Sequence, residues 1–147
     1  AEVALIQHAM DVTLEVQASA ARIMREGITT TEVQQFLSDA HLKLGADSVP
    51  PFRIVLFGEP TAYPHGVPYP QVLQEGDMIL IDVGATFDGY FSDITRSYVF
   101  GEPSQRQREI WDLEKQAQSA VFATADVGVP AEQLDDAARL VIESARV

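Results

Sequence analysis

The stretch that decides the reading is MILIDVGATFDGYFSDITRSYVF, residues 78–100. Asp88 and Gly89 fit the two central positions of a type I′ turn, because both tolerate φ > 0. That turn pairs Phe87 with Tyr90. Counting outward pairs Gly84 with Asp93 and Asp82 with Thr95, so Asp82, Asp93 and Thr95 project from one face of the hairpin. The two carboxylates are diagonal neighbours whose Cα atoms lie roughly 7–8 Å apart. At about 5 Å and an effective dielectric of about 20, two such charges repel by about 3 kcal/mol, which a hard divalent cation would reverse. One aspartate near a turn is ordinary wet surface. Two in phase, inside runs of Ile, Val, Phe and Tyr that disfavour aspartate, point to a metal site.

Around that hairpin, the 147 residues have the size of one domain, and 46% hydrophobic residues suffice for a core. No apolar stretch approaches the roughly 18–20 residues of a spanning helix, and no signal-peptide block opens the chain, so no membrane association is expected. Cysteine is absent. Any metal must then be held by oxygen or imidazole, and a cytoplasmic setting is expected. A net charge of −12 from 22 acidic and 10 basic residues repels polyanions, which excludes nucleic acid as a partner and favours cations, including a peptide's protonated amino terminus.

Apolar residues at three- and four-residue spacing predict a helix over 2–26, ended by Gly27. Thr29 with Glu32 forms a capping-box pattern that opens a second helix, running to Gly45. A strand follows over 52–57. The loop GEPTAYPHGVPYP, residues 58–70, holds Pro60, Pro64, Pro68 and Pro70 and is expected to be stiff without regular structure. Two strands, 78–86 and 90–100, form the aspartate hairpin. Ser104 with Gln107 repeats the capping pattern and starts a third helix carrying Ile110, Trp111, Ala117, Val121 and Phe122. Gly128 and Pro130 interrupt it, and a last helix from Ala131 runs to the end of the chain without a stop signal. The order is two helices, antiparallel strands, two helices. The chain lacks an initiating methionine and ends inside a helical pattern, as a fragment would.

The segments EVALIQHAMDVT (2–13), GADSVPPF (45–52), YPHGVP (63–68) and IDVGATFDGYFSDITRSYVFG (81–101) resemble the proline-specific metallopeptidases of the pita-bread fold, the Xaa-Pro dipeptidases (prolidases) and Xaa-Pro aminopeptidases. Methionine aminopeptidases share the fold and two similarly spaced aspartates, but the SDITR run is similar to the proline-specific branch. The loop FGEPTAYPHG departs from the family's frequent Gly, Pro and Asn ahead of Pro-His-Gly.

The resemblance implies an α+β chain, half of a pita-bread fold, with an antiparallel sheet covered by helices. It implies Asp82 as the first aspartate ligand, Asp93 as the bridging aspartate of a two-metal centre, and Thr95 as the residue steadying the bridging oxygen. His65 resembles the histidine that lines the substrate pocket and stabilises the reacting carbonyl or assists proton transfer. Two divalent ions, manganese by family expectation and cobalt or zinc otherwise, would activate a water and polarise the scissile carbonyl of a small proline-containing peptide.

One further histidine and two glutamates complete the family's ligand set, in a Gly-His-Gly segment without a match here. His8 and His41 fall in the two predicted amino-terminal helices and read as helix-surface residues. The resemblance therefore covers the first half of the catalytic domain, without the usual amino-terminal accessory domain or the second catalytic half. As a half, the chain would be inactive alone and would expose an interior face through which two copies could pair as a homodimer. The alternatives are a pita-bread binding module without catalysis and a metal-free creatinase-like hydrolase, both expected to lack the aspartate pair.

Overall fold

A computed structural model describes residues 1–145. It contains α1 (Glu2–Ile23), α2 (Thr30–Lys43), β1 (Phe52–Phe57), β2 (Met78–Gly84), β3 (Thr86–Phe87), β4 (Tyr90–Phe91), β5 (Ile94–Val99), α3 (Gln105–Thr124) and α4 (Ala131–Ser144), with one 3-10 turn at Glu59–Ala62. The order of helices and strands follows the sequence pattern. Several boundaries differ: α2 ends at Lys43, and each of the two expected long strands is broken, into β2 and β3 and into β4 and β5. The first helix stops at Ile23 because Met24 turns extended, before Gly27 is reached. The proline-rich loop is not wholly irregular: Pro60 sits at the start of the 3-10 turn, where its missing N–H costs nothing. The last helix ends at Ser144 with Ala145 as its cap, and its expected run to the chain end falls on residues 146–147, outside the described ones.

Where length alone suggests one domain, the chain divides into two compact units, Ala1–Glu102 and Pro103–Val147. In the second, α3 and α4 pack on each other, with Ala117 buried and Trp111, Phe122 and Leu140 exposed. Ser104 caps α3 in the expected box with Gln107.

The first unit holds the sheet. Its three main strands run in the order β1-β2-β5, all antiparallel, and β3 pairs with β4 as a short separate ribbon. Alternation along β2 separates two faces: Ile79, Ile81 and Val83 are fully buried, while Leu80 and Asp82 are half-buried. The buried face packs on Ala9, Val12 and Val16 of α1 and on Val33 and Leu37 of α2, together with Val55 and Phe57 of β1. Thr29 and Glu32 close the α2 capping box in both directions. The opposite face of the sheet carries the acidic residues.

Candidate metal centre

The hairpin arithmetic holds in the structure. Phe87 pairs with Tyr90, Thr86 with Phe91, Val83 with Ile94 and Asp82 with Thr95, a single register from turn to base. What the sequence did not show is the break between the ribbons, where Ala85, Ser92 and Asp93 leave strand geometry without changing the count. The ladder is pinned on both sides of the aspartates: Phe100 N–H donates to Asp77 O at 3.0 Å, and Ser92 N–H to Ala85 O at 2.9 Å. Bonded and open pairs alternate in an antiparallel ladder, so Ile81–Arg96 and Val83–Ile94 are bonded pairs. Asp82–Thr95 is then an open pair, the kind in which Cα atoms approach to about 4.5 Å and side chains come closest, and Asp93 lies just beyond the ladder, across from Gly84. Asp93 thus faces a residue with no side chain. The missing side chain makes room for Ser92 O and the Phe52 ring, which lie 2.1 and 2.6 Å from where a Cβ on Gly84 would sit.

The electrostatics reflect the close approach of the two carboxylates. Desolvation, the negative charge of Asp82 and a hydrogen bond to it hold the Asp93 carboxyl above the usual aspartate value. Asp82 Oδ1 is buried and, among the described residues, has no hydrogen-bond partner. A buried carboxylate oxygen without a hydrogen-bond partner is an acceptor position open to a cation. Two hard oxygen donors aimed at one place, with one lone pair unspent, fit a hard divalent ion. The donor set is incomplete: among the described residues no three His, Asp or Glu side chains gather to hold an ion.

Thr95 is exposed directly across from Asp82. His65 is also exposed, in the loop beyond β1, where it lines a cavity of about 310 Å³ with Arg53, Ile54, Leu56 and Tyr69. Ile54 is the cross-strand partner of Asp82 on β1, which puts the cavity beside the acidic face. Gly66 is needed where the loop meets the sheet: its φ is +72°, and a Cβ there would sit 3.0 Å from the Leu56 side chain.

His41 corrects the sequence reading. It is not a helix-surface residue but fully buried, because its ring has partners at both nitrogens: Nδ1 lies 2.8 Å from Leu37 O and Nε2 lies 3.3 Å from Thr13 Oγ1. Burial pushes its pKa down, opposed by the Leu37 carbonyl. Thr13 Oγ1 continues the chain to Ser92 Oγ at 2.6 Å, and Ser92 Oγ accepts from Ala85 N–H at 3.1 Å. His8 stays on the exposed side of α1, edge-on to Phe87. Four residues near the acidic pair therefore escaped sequence reasoning: Thr13, Gln17, His41 and Ser92. The available signal was Thr13 and Gln17, polar residues one helical turn apart within the apolar stripe of Val12, Val16 and Ala20.

Among the described residues no helix is long and apolar enough to cross a membrane. Comparison with known proteins gives concordant results. An Xaa-Pro dipeptidase of Pyrococcus furiosus is 33% identical over 143 residues, which are 97% of this chain and 41% of that protein. An X-Pro aminopeptidase from Thermotoga maritima MSB8 superposes with a TM-score of 0.93 at 33% identity, over 98% of this chain and 41% of that one. The prolidase structure from Pyrococcus furiosus gives 0.92 at 33% identity, over 98% and 43%. The chain thus spans about two-fifths of the length of these relatives, and its α+β architecture is part of the pita-bread fold. Residues 4–147 match the profile described as metallopeptidase family M24, and the chain belongs to that family.

Proposed function

We propose that this chain supplies Asp82 and Asp93 to the two-metal centre of an enzyme that hydrolyses Xaa-Pro bonds in small peptides, either an Xaa-Pro dipeptidase or an Xaa-Pro aminopeptidase. The observation that carries the reading is the close approach of the Asp82 and Asp93 carboxylates, with Asp82 Oδ1 buried and without a partner among the described residues. Bound there, divalent ions would supply the positive charge that polarises a scissile carbonyl and acidifies water. Manganese is the first choice, with cobalt or zinc next, since the donors are carboxylate oxygens.

Within the chain, Asp82 and Asp93 are the residues that would hold the ions, and Thr95, opposite Asp82 in the ladder, would steady them from the neighbouring strand. His65 lines the neighbouring cavity, where its imidazole would donate to a carbonyl oxygen or assist proton transfer. Ile54, Leu56 and Tyr69 give that cavity an apolar patch that a proline ring would meet, among the polar side chains of Gln34, Arg53 and His65. The chain corresponds to the first half of the catalytic domain, a reading supported by its coverage of about two-fifths of its relatives, and one histidine and two glutamates from elsewhere complete the ligand set. We place the enzyme in the cytoplasm on its cysteine-free sequence.

The test pairs calorimetric titration of Mn²⁺ with an Xaa-Pro hydrolysis assay on the 147-residue chain. Weak Mn²⁺ binding, lost in Asp93→Asn, and no turnover are expected, because affinity and geometry depend on the full ligand set. Metal-free Asp93→Asn should melt higher than the native chain at pH 7. The sign follows from the raised Asp93 pKa: the folded state holds that proton more tightly, so stability falls as pH rises through the carboxylate range. Metal-dependent turnover abolished by Asp82→Asn would refute the inactive half. A native chain without Mn²⁺ heat would show that this half alone holds no ion, without deciding between the peptidase and a binding module or creatinase-like hydrolase.

The half-buried acidic face of the sheet also offers an apolar rim at Leu80 and Ile54, and two copies pairing through it would bury that rim by closed two-fold association. Sedimentation over a range of concentrations decides this. A particle that stays monomeric at high concentration counts against pairing.

A further inference from the structure

Gln17 is 4% exposed on α1, and its carboxamide donates from Nε2 to two backbone carbonyls, Ile81 O at 3.1 Å and Ile94 O at 2.9 Å. Those carbonyls are not arbitrary. In the alternating ladder, Ile81 O and Ile94 O are the acceptors of the bonded pairs on either side of the open Asp82–Thr95 pair, where their ladder donors are Arg96 N–H and Val83 N–H. Gln17 therefore sits directly behind the acidic residues, on the core side of the same two strands, and ties one strand to the other where Asp82 and Asp93 project.

Two facts show that this contact does more than fill space. Gln17 Oε1 is buried and has no hydrogen-bond partner among the described residues, an omission that costs about 1–3 kcal/mol. Flipping the amide would not cure it, because the oxygen would then face two carbonyl oxygens. An apolar side chain of the same length would avoid the cost, so the fold retains an imperfectly satisfied amide at the position where it spans β2 and β5. One turn earlier on the same helix, Thr13 reaches Ser92, the residue before Asp93. α1 thus fixes the backbone next to both aspartates.

We propose that Gln17 is a positioning residue for the Asp82–Asp93 site: its amide sets the separation of β2 and β5 at the open pair and with it the distance between the carboxylates. The inference rests on the metal reading of the two aspartates. The experiment keeps the two separable by comparing the native chain with Gln17→Met, which preserves length and loses both donors, and with Val16→Ala, which weakens the same helix without touching the carbonyls.

Mn²⁺ affinity by calorimetry should fall at least tenfold in Gln17→Met, about 1.4 kcal/mol, and by less than twofold in Val16→Ala. Equal affinity in native and Gln17→Met, or an equal loss in Val16→Ala, overturns the proposal. Without Mn²⁺ heat in the native chain, this half alone holds no ion, and amide exchange decides the clamp. Exchange at Val83 and Arg96, scaled to each protein's slowest amides, should be at least tenfold faster in Gln17→Met than in Val16→Ala, with shifted carbonyl ¹³C resonances at Ile81 and Ile94. Unchanged rates and resonances would overturn it. Should Gln17→Met fail to fold, Gln17→Leu takes its place under the same criteria, because it too removes both donors and buries no charge.

Discussion

Gly84→Ala is expected to destabilise the first unit by about 1–3 kcal/mol, the usual cost of forcing an added methyl into a packed site. A Cβ at this position would lie 2.1 Å from Ser92 O and 2.6 Å from the Phe52 ring. The ring has room to swing; the carbonyl does not. Ser92 is held by its own N–H to Ala85 O, by Ser92 Oγ to Ala85 and by Thr13 from α1. Accommodating the methyl means pushing the Asp93 strand outward against all of these. At about 2–4 °C per kcal/mol for a chain of this size, the melting temperature should drop by about 2–12 °C. Mn²⁺ binding should weaken with it, since Gly84 stands opposite Asp93. Melting unchanged from the native chain would show that the gap is not enforced by the backbone.

His41 gives the second large effect, and it depends on pH. In the unfolded chain the imidazole takes a proton as pH falls through its ordinary value of 6.5, whereas the folded chain resists because burial depresses the pKa. Stability is therefore complete above about 6.5 and is lost as pH falls from there toward the folded-state value. His41→Ala should cost about 2–4 kcal/mol at pH 7.5, from the cavity and from leaving Thr13 and the Leu37 carbonyl without their ring partner. The difference between native and variant should shrink steadily on acidification to pH 5. Melting curves across that range measure it. A constant difference would mean that the ring titrates alike in folded and unfolded chains.

Much of the hairpin was legible because its determinants are local. An Asp-Gly turn with one allowed register fixes which residues share a face, and Asp88 does adopt φ +50°. The Thr29–Glu32 and Ser104–Gln107 boxes are three-residue patterns and were equally readable. What escaped reading depends on distant partners. His41 is buried because Thr13 lies 28 residues away, and Gln17 earns its place through carbonyls 64 and 77 residues along the chain. A polar residue in an apolar stripe looks like a solvated interruption until its acceptor is known. The break at Ala85 and Ser92 is of the same kind, since Thr13 holds the serine there.

Those 77 residues between Gln17 and Ile94 have a consequence for how the molecule assembles. Closing so long a loop is slow compared with forming a helix or a hairpin, so the acidic pair acquires its final spacing only when the amino-terminal helix docks. Cations should accordingly trap molecules that are already complete, raising the population of the finished state by mass action, and should leave the rate of reaching it unchanged.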